Sequence, residues 1–150
     1  MEITSDRIID DVRDELANDP RIPYPEEIAV ESFGNSVTLR GTVGSFAQQR
    51  AAVSGARRTR GVVDVLDELQ VRMLDRYRRE DAEIRGASLQ RLAWDSEIPG
   101  DYLDVHVKDG WVTLKGDVDF QFQSDIAFDA VASLYGVTGV TNHIKVVERL

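Results

Sequence analysis

Apolar and polar residues alternate between Ile28 and Val43 in two runs separated by Gly34-Asn35. Ile28 and Val30, then Val37 and Leu39, fall on one side, with Thr38, Arg40 and Thr42 on the other, and a period of two predicts strands with one buried face. The same pattern returns further along the chain. Leu103, Val105 and Val107 alternate with Asp104, His106 and Lys108, Asp109-Gly110 supplies a hairpin turn, and Val112 and Leu114 follow opposite Trp111, Thr113 and Lys115. Third strands are predicted at Val65, Leu69, Val71 and at Val140, Ile144, Val146. Helical spacing fills the intervals. Ile9, Val12 and Leu16 share one face, as do Ile84, Ala87 and Leu92 in a segment from about Arg79 to Ala93. Second helices carry Ala51, Ala52, Val53 and Ala56, and Ile126, Ala127, Phe128 and Val131.

The order helix, strand, strand, helix, strand therefore occurs twice, and the two copies align. A shift of 75 pairs Gly34–Val43 with Asp109–Val118, matching Val37/Val112, Thr38/Thr113, Leu39/Leu114, Gly41/Gly116 and Val43/Val118. It also pairs Gly61-Val62 with Gly136-Val137, Val65 with Val140 and Val71 with Val146. Upstream a shift of 76 pairs Leu16 with Leu92, Asp19 with Asp95 and Ile22-Pro23 with Ile98-Pro99, so one residue separates the copies between Pro23 and Ile28. The expected class is α+β: two tandem αββαβ modules, residues 1–74 and 75–150, each a three-stranded mixed sheet packed on two helices. The intervening Met73–Glu80 lacks Gly and Pro and favours a stiff helical connection.

Local signals sharpen the boundaries. Thr4 or Ser5 would cap the first helix, Ser45-x-x-Gln48 reads as a capping box, and Asp119 would cap the second helix of copy two. Gly61 and Gly136 would end helices as left-handed C′ residues, and Gly41 and Gly116 would admit a close backbone neighbour.

Charge narrows the function classes. The net charge is −9, with 14 acids and 9 bases in residues 1–75 and 13 and 9 in residues 76–150. A surface acidic in both halves argues against nucleic-acid binding and against general attraction to anionic membranes. The absence of cysteine excludes disulfides and thiolate chemistry. No transmembrane segment is predicted, and Asp10, Asp11, Asp14 and Glu15 interrupt any apolar leader, so a cytoplasmic chain is expected.

Candidate chemistry is sparse. His106 and His143, with Asp104, are the available metal ligands, and strand parity puts both histidines among lysines on an outer sheet face; no metal site is expected. Asp117, Asp119, Asp125 and Asp129 lack the Gly and the terminal Glu of an EF-hand loop. The glycines form no phosphate loop, and no Ser/His/Asp spacing suggests a triad, so neither catalysis nor a cofactor is expected. Two groups remain as candidate contacts. Arg57, Arg58 and Arg60 end the second helix of copy one, where cations suit the helix dipole. Phe120 and Phe122 cannot both turn inward at helical spacing, and Trp111 stands on an outer face where copy one has Ser36. Phe128 is assigned to the core.

The segments Val37–Val43 and Val112–Val118, each followed after a helix by a Gly-Val-x-x-Val segment at Gly61–Val65 and Gly136–Val140, resemble the BON family, named for bacterial OsmY and nodulation proteins. Asn142 matches the Asn that often follows the second Val in that family; copy one has Asp67. The resemblance covers about residues 5–72 and 80–148. It implies the αββαβ fold and a non-enzymatic module of envelope and stress-response proteins, some binding phospholipid, some chaperone-like, one potassium-sensing. The expected function is a binding or adaptor protein contacting a protein, a lipid headgroup or a small ion; potassium can be held by backbone carbonyls without a side-chain signature, so the sequence gives no expectation for it. The alternative is a structural stress protein acting through homo-oligomerisation.

Overall fold

A computed structural model describes residues 4–75, 78–99 and 103–147. The chain divides into two compact units, Met1–Arg72 and Met73–Leu150. In the first, helix α1 (Ser5–Ala17) is followed by the hairpin β1 (Ile28–Phe33) and β2 (Ser36–Val43), helix α2 (Phe46–Arg58) and strand β3 (Asp64–Val71). In the second, α3 (Asp81–Trp94), β4 (Leu103–Lys108), β5 (Trp111–Val118), α4 (Gln121–Ala132) and β6 (Gly139–Val146) repeat that order. The predicted αββαβ modules are present in both units.

Each sheet is mixed, with the longest run of pairing at its centre. β1 pairs antiparallel with β2, and β2 pairs parallel with β3, in the order β1-β2-β3. β4, β5 and β6 repeat this. The predicted equivalences hold strand by strand: Val37 faces Val65 in register, and Val112 faces Val140. One sheet face is apolar and lies under both helices, burying Val37, Leu39, Val112 and Leu114 completely.

The helices meet this face somewhat differently from the expectation. In α1 the buried stripe is Ile8, Val12 and Leu16, a strict four-residue spacing, and Ile9 sits beside it half-buried. In α3 the stripe is Ile84, Ser88 and Leu92; Ala87 is only half-buried, and the helix begins at Asp81 rather than Arg79. Ser88 thus occupies the place of Val12, and its hydroxyl donates to the Ile84 carbonyl at 2.7 Å, which satisfies it inside the core. Phe128 is half-buried and not a core residue; α4 buries Ser124, Ala127, Val131 and Ala132.

The turns after α1 and α3 are the same device. Asp19 Oδ1 accepts from the Arg21 amide at 2.9 Å, and Asp95 Oδ1 from the Glu97 amide at 3.0 Å. The next amide closes the turn onto the Asp carbonyl and delivers Ile22 or Ile98 to the core. The Arg21 guanidinium also binds the Asp19 carboxylate, which holds its pKa below the ordinary carboxylate value. A depressed acid stabilises the folded state above its unfolded pKa, and this support fades as the pH falls through the folded value.

Other boundaries correct the sequence reading. No α-helix covers residues 72–75 or 78–80; Arg76 and Tyr77 lie outside the described residues. Instead Arg79 donates to the Tyr135 carbonyl at 3.1 Å and lies over its ring, fixing this segment to the loop after α4. Gly61 and Gly136 do have positive φ, 92° and 90°, but stand beyond the C-caps Thr59 and Ser133 by two and three residues, because each helix ends in a short turn. The family position Asp67/Asn142 ties the second helix to the third strand. Gln49 donates to Asp67 at 2.9 Å, and Asn142 donates to Ser124 at 2.9 Å.

Gly41 has φ 132°, and a Cβ there would collide with the Glu27 carbonyl in the turn entering β1. Gly34 has φ 60° and open space around it. We expect Gly41→Ala to lower stability by about 3 kcal/mol or more and Gly34→Ala by about 1 kcal/mol. Urea unfolding of the two variants against wild type reads the difference; equal losses would refute the close-approach role of Gly41.

Candidate functional site

The start of α4 differs most from its counterpart. In α2 the N-cap is Ser45, whose hydroxyl accepts from the Gln48 amide at 3.1 Å, while Gln48 Oε1 accepts from the Gly44 amide at 2.8 Å. In α4 the N-cap is Phe120, not Asp119, and its side chain has no oxygen to offer. Gln123 compensates in part: its Oε1 accepts from the Asp119 and Phe120 amides at 3.0 and 3.1 Å, and its Nε2 donates to the Glu97 carbonyl at 3.0 Å. Giving up a hydroxyl cap costs about 1 kcal/mol.

What stands there instead is a pair of stacked rings. Phe120 and Phe122 lie with centroids 5.7 Å apart and an interplanar angle of 16°. They are 59% and 49% exposed. Neither turns inward, because the inward positions of this turn belong to Ser124 and Ala127. Acids adjoin the rings in the chain: Asp119 and Asp125 are both exposed, and no Lys or Arg occurs between Lys115 and Lys145.

Trp111 is elsewhere. It begins β5, whose eight residues separate it from α4, and it lies on the sheet face away from the helices. Eight strand residues span roughly 25 Å. The structure therefore does not join Trp111 to the phenylalanines. Trp111 is 48% exposed; its indole nitrogen donates to Thr141 Oγ1 at 2.7 Å, and its six-membered ring lies where a Cβ on Gly139 would be. Gly139 is the in-register partner of Trp111 on β6 and was not singled out from the sequence. The signal was available, since copy one has Ser36 and Asp64 at these two positions.

The arginines of α2 form no shared site with either group. Arg57 and Arg58 occupy the last turn and Arg60 follows the cap, all exposed; Arg58 donates to Ser54 at 2.9 Å and pairs with Glu15 at 3.7 Å. His106 and His143 are exposed on the outer face of the second sheet. Among the described residues no group of three or more His, Cys, Asp or Glu is placed to hold a metal ion, and no helix is long and apolar enough to cross a membrane. Exposed aromatics beyond the sequence candidates include Phe33, at 91%, Trp94, Tyr24 and Tyr135.

The profile of the BON domain family matches residues 4–73 and again residues 80–148. Osmotically-inducible protein Y of Escherichia coli (strain K12) is 36% identical over 124 residues, which is 79% of this chain and 61% of that protein. The chain thus spans less than two thirds of that relative. Structures of CdsD, a structural protein of the Type III secretion system of Chlamydia trachomatis, and of its C-terminal domain are each 11% identical. The first has a TM-score of 0.41, covering 98% of this chain and 65% of that one; the second has 0.39, covering 97% and 68%. This similarity is too low to bear on function. The relative in Escherichia coli is periplasmic or associated with the outer membrane, which overturns the expectation of a cytoplasmic chain. That expectation rests on the absence of an apolar leader, and where a sequence begins says nothing of what precedes it.

Because Phe120 is exposed at a capping position, Phe120→Ser is expected to leave the melting temperature unchanged or raise it, by up to about 1 kcal/mol of stability. Differential scanning calorimetry decides. A loss of several kcal/mol, as for a truncated core ring, would show that the rings are structural.

Proposed function

The chain belongs to the BON domain family, and from that premise we propose that it is a stress-related, non-catalytic binding protein that engages another protein through the start of α4. The family and the relative named for osmotic induction support the stress-related, non-enzymatic part of this reading. The contact surface is carried by one observation. Copy two puts a phenylalanine at the N-cap where copy one has the serine that a helix prefers, and stacks it on a second exposed phenylalanine. The common fold does not require this, because copy one builds the same corner without it.

The setting favours a protein partner over a membrane. Two rings stacked at 5.7 Å offer a compact apolar anchor of the kind that dominates interface energetics. The adjacent Asp119 and Asp125 would repel anionic lipid and suit a partner pocket rimmed by Lys or Arg.

A photo-crosslinking residue at Gln121, between the rings, tests this in cells grown at raised osmolarity. The expected result is a discrete adduct with another protein that disappears in the Phe120→Ser/Phe122→Ser background. An adduct with a second copy of the chain would favour the self-association alternative. Adducts with phospholipid, or none above those of the same probe at Gln90 on α3, would refute the assignment.

A further inference from the structure

The outer face of the second sheet collects every lysine and every histidine of the chain. Lys108, Lys115 and Lys145 are its three lysines, His106 and His143 its two histidines, against fifteen arginines distributed elsewhere. The register places all five on one surface. Lys108 is opposite Trp111, His106 and Thr141 flank Thr113, His143 is opposite Lys115, and Lys145 is opposite Asp117. Each of the five is exposed. Three lysines against Asp104 and Asp117 leave this face net positive on a protein of net charge −9.

Copy one shows that the fold does not demand it. There Arg40, the counterpart of Lys115, is held by Glu31 at 3.5 Å and hydrogen-bonded to Glu68. Those two carboxylates stand at the positions of His106 and His143. With Asp64 the first outer face is net negative. Copy two replaces both neutralising acids by imidazoles, and the carboxylate left opposite Lys115, that of Asp104, is drawn toward Arg85 on α3 at 3.8 Å.

Trp111 adds a shape. One side of its ring is laid on the Gly139 backbone, and its N–H is committed to Thr141, so what remains open is an apolar plane flush with the sheet. It is the sole large apolar residue on this face among the described strands, and its neighbours are hydroxyls and amines. A sugar ring has C–H faces that stack on such a plane and hydroxyl edges that meet Thr113, Thr141 and Lys108. From Trp111 to Lys115 the face runs roughly 13 Å along the strand, the scale of a chain of linked units and not of one small anion.

We propose that the outer face of β4-β5-β6 binds an acidic polysaccharide, with one sugar ring stacked on Trp111 and its carboxylates or phosphates met by Lys108 and Lys115. Single-stranded nucleic acid also combines stacking with charge. Single strands, however, lay successive bases on several aromatic rings, whereas this face offers one plane, Trp111, with the hydroxyls of Thr113 and Thr141 beside it to meet the edges of a sugar ring. The proposal is independent of the surface at Phe120.

Affinity electrophoresis of the full chain through gels containing polygalacturonate, dextran or neither tests it, with titration calorimetry for affinity. Polygalacturonate should retard the wild type and neutral dextran should not, and added salt should weaken the binding. Trp111→Ser, the residue of copy one, and the double variant Lys108→Gln/Lys115→Gln should each weaken binding at least tenfold; Phe120→Ser should not change it. The lysine pair keeps the test decisive should Trp111→Ser fail to fold. No retardation of the wild type by polygalacturonate, or unchanged affinity in the lysine variant, overturns the proposal. So does binding of oligo(dT) or of phosphatidylglycerol vesicles in preference to polygalacturonate.

Discussion

Everything in this protein depends on covering one apolar face of a three-stranded sheet. Such a sheet is too small to bury its own side chains, and the parallel pairing of its centre and last strands forces a helical crossover between them. That crossover, α2 or α4, covers part of the face, and the preceding helix covers the rest. Val37 and Leu39, or Val112 and Leu114, are then sealed from water on every side. The repeated features serve this closure. The aspartate turns at Asp19 and Asp95 bring an isoleucine beneath the helices, and Asp67 or Asn142 fastens the crossover helix to the edge strand.

The requirement acts on one face only, and the two copies diverge where it is silent. Inside, the substitutions are conservative or self-satisfied, as when Ser88 takes the place of Val12 and returns its hydroxyl to its own helix. Outside, the net charge of the face reverses sign: the carboxylates around Arg40 are histidines around Lys115, with Lys108 and Lys145 beside them. At the helix start a serine cap becomes an exposed phenylalanine. The duplication has kept one scaffold twice and left the second copy with two surfaces the first does not have.

Much of this was legible in the sequence, for physical reasons. Strand period, hairpin turns and the glycines of β2 and β5 are local signals, and the matched shift of 75 made each copy a check on the other. Errors came where the signal is degenerate. Ile8 and Ile9 are adjacent and both apolar, so only packing decides which faces inward. Asp119 looked like a cap because aspartate is a good one, yet the helix starts one residue later, where the equivalence with Ser45 puts it. Of the candidate sites, the exposure of Phe120 and Phe122 could be read from helical spacing. The separation of Trp111 from them, and the part played by Gly139, required the register of β5 against β6.

That register also couples two positions of the second copy. The indole lies flat because its partner has no side chain; any Cβ at position 139 would occupy the space of the ring. A side chain there, such as the aspartate that copy one carries as Asp64, would displace the ring from its place against the sheet, where it hydrogen-bonds Thr141. The glycine gives nothing by itself and weakens a strand. The two residues therefore act as a pair: Trp111 keeps its place on the sheet only opposite a residue without a side chain.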